Sequence, residues 1–212
     1  MRPDAVIFDM DGVLVDSEPF GFEALRRVMA RYGLPYGEAE NAEFLGRTTL
    51  DSCQILRERH RLPEAAETLA DWYVEGMLEQ IARGPIPMAG VPEVLRRIRA
   101  AGYRMALASS AEVRVIDANL TALGLRPLFD AVVSGTQVAR GKPAPDVFLA
   151  AAERLSAPPA TCLVVEDSRN GLLAAKAAGM RCAVVPCAHT RHQDFGECDH
   201  RLAALPDLLA LL

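Results

Sequence analysis

The sequence predicts an α/β fold: a doubly wound, Rossmann-like parallel-sheet core carrying an inserted α-helical cap. Three observations carry that reading. Short, wholly apolar runs recur along the chain, of the kind that suits strands buried on both faces of a parallel sheet. Segments with helical spacing separate them, which is the rhythm of repeated βα units. One long stretch after the first run breaks that rhythm, with amphipathic helical patterns and no convincing strand. At 212 residues the chain can form one sizeable α/β domain, or a core with a smaller inserted unit.

In chain order, Ala5-Val-Ile-Phe8 is the first strand, and Asp-Met-Asp-Gly ends it, so acidic residues sit at its carboxyl end. Residues 17–83 form the helical insertion. Ser17-Glu18-Pro19 marks one boundary, because proline disfavours helix in the residue before it, and Gly84-Pro-Ile-Pro-Met-Ala-Gly90 marks the other. The expected organisation is a core of residues 1–16 and 84–212 and a cap of residues 17–83. Further strands are expected at residues 103–109, 131–133, 162–166 and 182–185, with helices at 111–123, 145–155 and 170–178.

Half the residues are hydrophobic and 24% are charged, the profile of an ordinary globular protein. The formal charge of −5 would repel a phosphate-rich polymer or an anionic membrane, so neither nucleic acid nor membrane is expected as a partner. A small anionic substrate would need a local positive pocket. No signal-peptide core precedes Ala5 and no apolar stretch approaches the roughly 18 residues of a membrane span, so the cytoplasm is the expected compartment. A monomer is the expected form. Five cysteines without a Cys-x-x-Cys pair argue against a disulfide framework or a structural zinc site.

Asp9 and Asp11 leave the first strand two residues apart. One such carboxylate can attack phosphorus while the other gives and takes the proton of the departing or attacking oxygen, and Gly12 lets the backbone turn sharply beside them. The competing reading is a simple Asp-Gly turn. The run 162–166 ends in Glu166-Asp167-Ser168, so two strand ends converge on one acidic pocket, or else the segment merely caps a helix. A hard divalent cation with oxygen ligands relieves the repulsion among such carboxylates, and Mg²⁺ also screens an incoming phosphate. Ser109 and Ser110 precede a helix, a setting that binds phosphate oxygens. Lys142, in a loop stiffened by Pro143 and Pro145, can stabilise both the phosphoryl charge and a nucleophilic carboxylate. Taken singly, a strand-ending serine is more often a cap and a loop lysine a solvated charge.

Asp9-Met-Asp11-Gly-Val-Leu-Val-Asp16, then Ser109, then Gly-Lys142-Pro, then Glu166-Asp167-Ser-x-x-Gly171 follow one another in the order of the four motifs of the haloacid dehalogenase superfamily, which the whole chain resembles. The insertion is similar to the cap of the subgroup that includes β-phosphoglucomutase and many sugar-phosphate phosphatases. The resemblance implies that Asp9 is nucleophile and metal ligand, and that Asp11 is the general acid/base, ligating metal through its backbone carbonyl. It further implies that Asp167, with Glu166 beside it, completes a Mg²⁺ site, that Ser109 and Lys142 hold the phosphoryl group, and that Asp16 is supportive. Dehalogenases lack the second aspartate of the first motif, so Asp11 selects phosphoryl transfer.

The expected function is therefore a Mg²⁺-dependent hydrolase of a small phosphomonoester working through an aspartyl-phosphate. A β-phosphoglucomutase-type mutase is the alternative, disfavoured because Asp16-Ser-Glu-Pro-Phe20 holds no histidine and the cap's His60 reads as part of a solvated face. A receiver-type phospho-acceptor domain is a remoter one, disfavoured by length and the insertion. Arg47, in Phe44-Leu-Gly-Arg47-Thr-Thr-Leu-Asp51, is a candidate contact to the distal part of an anionic substrate. Trp72, Tyr73 and Met77 are read as cap packing. The irregularly spaced His189, His192 and His200, near Cys187, Cys198 and Asp199, are weighed as a soft-metal site and declined.

Overall fold

The structure, a computed structural model, describes residues 2–44 and 48–212. The chain divides into two compact units: Met1–Asp16 with Ile86–Leu212, and Ser17–Pro85.

The first unit holds strand β1 (Ala5–Phe8), and the second holds helices α1 (Glu18–Ala30), α2 (Glu38–Ala42), α3 (Thr49–His60) and α4 (Ala66–Arg83). The chain then returns to the first unit with α5 (Val91–Ala100), β2 (Arg104–Ser109), α6 (Val113–Ala122), β3 (Ala131–Ser134), α7 (Asp146–Arg154), β4 (Cys162–Glu166), α8 (Arg169–Ala177), β5 (Arg181–Val184) and β6 (His200–Arg201). The strands form one parallel sheet in the order β3-β2-β1-β4-β5-β6. That order reverses direction at β1, the arrangement of a doubly wound sheet. The two-residue β6 carries no apolar run, which is why the sequence gives no sign of it.

All four residues of β1 are completely buried. Ala5 and Ile7 join Ala106, Ala108, Val164, Phe148, Ala151 and Leu172 in one cluster, where α7 and α8 pack on the sheet. Alternation along a strand sends Val6 and Phe8 to the opposite face, and their full burial shows that this face is covered too.

In the helical unit, Pro19 falls in the first turn of α1, where its missing N–H is no loss, so the helix begins before the proline rather than after it. Thr48 caps α3 by accepting from the Asp51 N–H at 3.1 Å. Leu25, Val28 and Met29 of α1 meet Cys53, Leu56 and Leu69, with Trp72 and Tyr73 packed against them, and Met77 is buried in the same unit. Helices α1 and α4 approach so closely that a Cβ on Gly76 would lie 3.1 Å from that of Ala24. His60 is half-buried and its Nε2 lies 2.9 Å from Glu40 Oε1, so it is not part of a freely solvated face. No helix among the described residues is long and apolar enough to cross a membrane.

Candidate active site

Register assembles the site. Phe8 pairs with Leu107 of β2 and Val165 of β4, so the next residue, Asp9, emerges level with Ala108 and Glu166. The Asp9 N–H continues the ladder to the Val165 carbonyl at 2.9 Å. Ser109 ends β2 and Glu166 ends β4, so these side chains gather at the carboxyl edge, at the point where strand order reverses and where open α/β sheets bind their ligands.

Lys142 is no solvated charge. Its side chain is 7% exposed, and its ammonium donates to Asp9 Oδ1 at 2.6 Å, to Glu166 Oε1 at 2.7 Å and to the Ala108 carbonyl at 3.3 Å. All three ammonium protons are thereby used. The other oxygen of Glu166, Oε2, accepts from the Asp167 N–H, the Ser168 N–H and Ser168 Oγ, each at 2.9 Å. Ser168 is also the N-cap of α8, accepting from the Gly171 N–H at 3.1 Å. The capping and acidic-pocket readings of this segment thus both hold, on adjacent residues.

Two glycines make room for these carboxylates. Gly12 has φ +75°, and a Cβ there would lie 2.2 Å from Asp167 Oδ2. Gly171 is helical, and a Cβ there would lie 1.7 Å from Glu166 Oε1. The spacing of the fourth motif therefore has a steric cause: the glycine must pass over the glutamate that precedes it.

Carboxylate oxygens of Asp9, Glu166 and Asp167 lie within 4.8 Å of one another, all buried, and among the described residues they are the one such group able to hold a metal ion. Burial raises the Asp9 carboxyl well above the usual range; Lys142 opposes the rise, and the charges of Glu166, Asp11 and Asp167 add to it. Burial and the charge of Glu166 push Asp167 up to about 7, against hydrogen bonds from Cys187 and Thr190 and the charge of Lys142. Burial alone would lower Lys142, but Asp9 and Glu166 outweigh it and its pKa is raised. Once all three are ionised, three carboxylates against one ammonium leave two negative charges uncompensated, which matches a divalent cation with hard oxygen ligands.

Asp11 is half-buried and its Oδ2 faces Ser109 Oγ at 3.4 Å. Ser109 is completely buried, and its Oγ accepts from the Ala111 N–H at 3.0 Å. Ser110 follows it, exposed at the same edge. Helix α6 begins only at Val113, later than the spacing suggests, so neither serine is its N-cap. Ser134, at the end of β3, braces this turn by donating to the Ala111 carbonyl at 2.6 Å. Arg47 lies outside the described residues. Of the soft-metal segment only Cys187 reaches the site, and it does so through Asp167: Cys187 Sγ and Thr190 Oγ1 each lie 3.1 Å from Asp167 Oδ2. Sequence reasoning missed Thr190 and Ser134, which carry no motif signal and contribute through position alone. Asp199 instead holds the Cys182 N–H and Lys176.

The profile of haloacid dehalogenase-like hydrolases matches residues 6–185, and the chain belongs to that family. It is 37% identical to protein CbbY of Rhodobacter capsulatus over 99% of this chain and 96% of that protein. It is 38% identical to a phosphorylated carbohydrates phosphatase of Thermotoga maritima over 84% of this chain and 82% of that one. Among solved structures, a mutant of CbbY from Rhodobacter sphaeroides in complex with xylulose-(1,5)bisphosphate superposes with a TM-score of 0.92 at 30% identity, covering 100% of this chain and 99% of the other.

Proposed function

We propose that this chain is a Mg²⁺-dependent phosphatase acting on a small phosphomonoester, a sugar phosphate or similar metabolite, through an aspartyl-phosphate on Asp9. The observation that carries the reading is a desolvated carboxylate at a strand end, held by a buried lysine inside an acidic cluster short of two positive charges. Asp9 and Asp167 would hold Mg²⁺, with the Asp11 carbonyl as a further donor and Glu166 beside them. Bound there, the ion supplies the positive charge that the carboxylates and an incoming phosphate require.

Lys142 takes Asp9 Oδ1, which leaves Oδ2 to attack phosphorus. Asp11 gives its proton to the departing alkoxide; the same carboxylate then takes a proton from water, whose oxygen attacks phospho-Asp9 and releases inorganic phosphate. Ser109 and Ser110, at the same edge, bind the phosphoryl oxygens, and Lys142 meets the charge that develops on them. Relatives that act on or bind phosphorylated carbohydrates favour that substrate class.

Hydrolysis is favoured over mutase chemistry because the stretch after the first motif is Ser17, Glu18, Pro19 and Phe20, opening α1 without a histidine, while His60 faces Glu40. The test is phosphate release from sugar phosphates, phosphoglycolate and nucleotides, with and without Mg²⁺. A parallel incubation uses β-glucose 1-phosphate with a trace of the 1,6-bisphosphate. Release from a sugar phosphate that depends on Mg²⁺ supports the proposal. Conversion to glucose 6-phosphate with little phosphate released would overturn it.

A further inference from the structure

The turn that follows β5 touches the site at one atom. Cys187 Sγ and Thr190 Oγ1 both lie 3.1 Å from Asp167 Oδ2. The Cys187 N–H donates to Thr190 Oγ1 at 3.1 Å, so that hydroxyl already accepts on one side and has a single proton to give. Its two acceptors in reach are Asp167 and, at 3.4 Å, the sulfur of Cys187. A carboxylate is much the stronger acceptor, so the proton goes to Asp167, and the thiol proton has the same oxygen to point at.

The turn itself is held shut. The Thr190 N–H returns to the Cys187 carbonyl at 3.2 Å and the Arg191 N–H reaches the same carbonyl at 3.0 Å. Thr190 is 9% exposed. On its other side Oδ2 lies against Gly12, where even a methyl group would stand 2.2 Å away. Oδ2 therefore lies beside Gly12 and faces two neutral donors, which favour one orientation of the carboxylate. The second oxygen, Oδ1, is left to face a cation.

We propose that Cys187 and Thr190 are positioning residues that fix Asp167 as a cation ligand through Oδ1 and thereby set the affinity of the site for Mg²⁺. The inference rests on the metal-dependent reading above. It assigns a task to two residues outside the four motifs, and it explains why a buried threonine and a half-buried cysteine three apart face a carboxylate. Both residues reach the site through Asp167.

The test is Mg²⁺ binding to the substrate-free, full-length protein by isothermal titration calorimetry, beside the Mg²⁺ concentration that gives half-maximal turnover. Thr190→Val keeps the shape and removes the hydroxyl, Cys187→Ala removes the thiol, and Thr190→Ser and Cys187→Ser keep a donor. Removing an outer partner of a metal ligand costs about tenfold to a hundredfold in affinity, and the Thr190→Val/Cys187→Ala double variant is expected in that range. The two serine variants should recover most of the loss, and the KM for the phosphate ester should move less than the Mg²⁺ requirement. A double variant that binds Mg²⁺ within about twofold of the wild type would overturn the proposal, given the usual effect of such partners. So would equal losses in the serine variants, the result expected of packing alone. Melting temperatures identify a variant that fails to fold, in which case Thr190→Ser and Cys187→Ser decide by themselves whether the donor matters. A wild type that binds no Mg²⁺ would refute the metal-dependent function itself, a distinct outcome.

Discussion

Replacing Gly171 by alanine should damage this protein even though alanine is the better helix former. In an ordinary helix interior the change gains about 1 kcal/mol. Here the new Cβ would lie 1.7 Å from Glu166 Oε1, 1.8 Å from its Cδ and 2.4 Å from Oε2, so the whole carboxylate must retreat by more than an ångström. That group cannot yield cheaply. It is 1% exposed and holds Lys142, two backbone N–H groups and Ser168 Oγ. Hydrogen bonds to a charged group contribute about 1.5–3 kcal/mol each, and losing two of them outweighs the helical gain by roughly 2–5 kcal/mol. For a chain of this size that corresponds to a fall of about 4–20 °C in melting temperature. Lys142 would lose one of its two anionic anchors and Asp9 its fixed partner, and a displacement of this kind near the reacting atoms can cost about a hundredfold in turnover. Differential scanning calorimetry and steady-state kinetics on Gly171→Ala test both consequences. A variant that melts at or above the wild-type temperature with undiminished turnover would refute the claim that Glu166 is rigidly held.

Asp9→Asn should fold, since Lys142 keeps Glu166, and should lose several orders of magnitude in turnover, roughly as expected when a nucleophile is removed; near wild-type phosphate release would end that assignment. Lys142→Met should destabilise the metal-free protein by about 3–5 kcal/mol, because it strands buried carboxylates without their cation; a denaturant midpoint equal to wild type would contradict this. The metal-free protein should lose stability as pH rises. In the folded state Asp9 and Asp167 keep protons that an unfolded chain gives up near about pH 4, so the stabilisation is present below that value and falls as pH rises, the Asp167 share being lost by about 7, the pKa to which it is pushed. Added Mg²⁺ should flatten that slope, and melting curves between pH 4 and 8 with EDTA or Mg²⁺ decide the point.

The main strands were legible because each is a run of buried apolar residues that stops at a charge or turn residue. β1 and β4 match the expected limits, β2 and β3 differ by one residue at one end, and β5 is shifted by one residue. The paired acidic strand ends were legible for the same reason. What the sequence could not reveal depends on three-dimensional neighbours. Lys142 was legible as a partner of the nucleophilic carboxylate, but its second anchor, Glu166, appears only once the fold brings the two strand ends level. Thr190 and Ser134 act through single hydroxyl contacts that leave no periodicity. His60 falls in a charged helix and reads as exposed, yet Glu40 from another helix half-buries it.

The site also helps fix the fold. A strand buried on both faces gains little from apolar alternation in choosing its register, since sliding by one residue exchanges one buried apolar face for another. Between β1 and β4 the sequences Ala-Val-Ile-Phe and Cys-Leu-Val-Val would tolerate such a slip almost equally well. The charges at their ends would not. Lys142 joins Asp9 Oδ1 to Glu166 Oε1 across the two strand ends at 2.6 and 2.7 Å, and this bridge closes only when Asp9 and Glu166 lie level. A one-residue slip, about 3.3 Å along the strand, would break one of these contacts and leave a carboxylate buried without its partner. The chemistry at the carboxyl edge and the register of the sheet therefore specify each other, so substitutions at Lys142 should disturb folding as well as turnover.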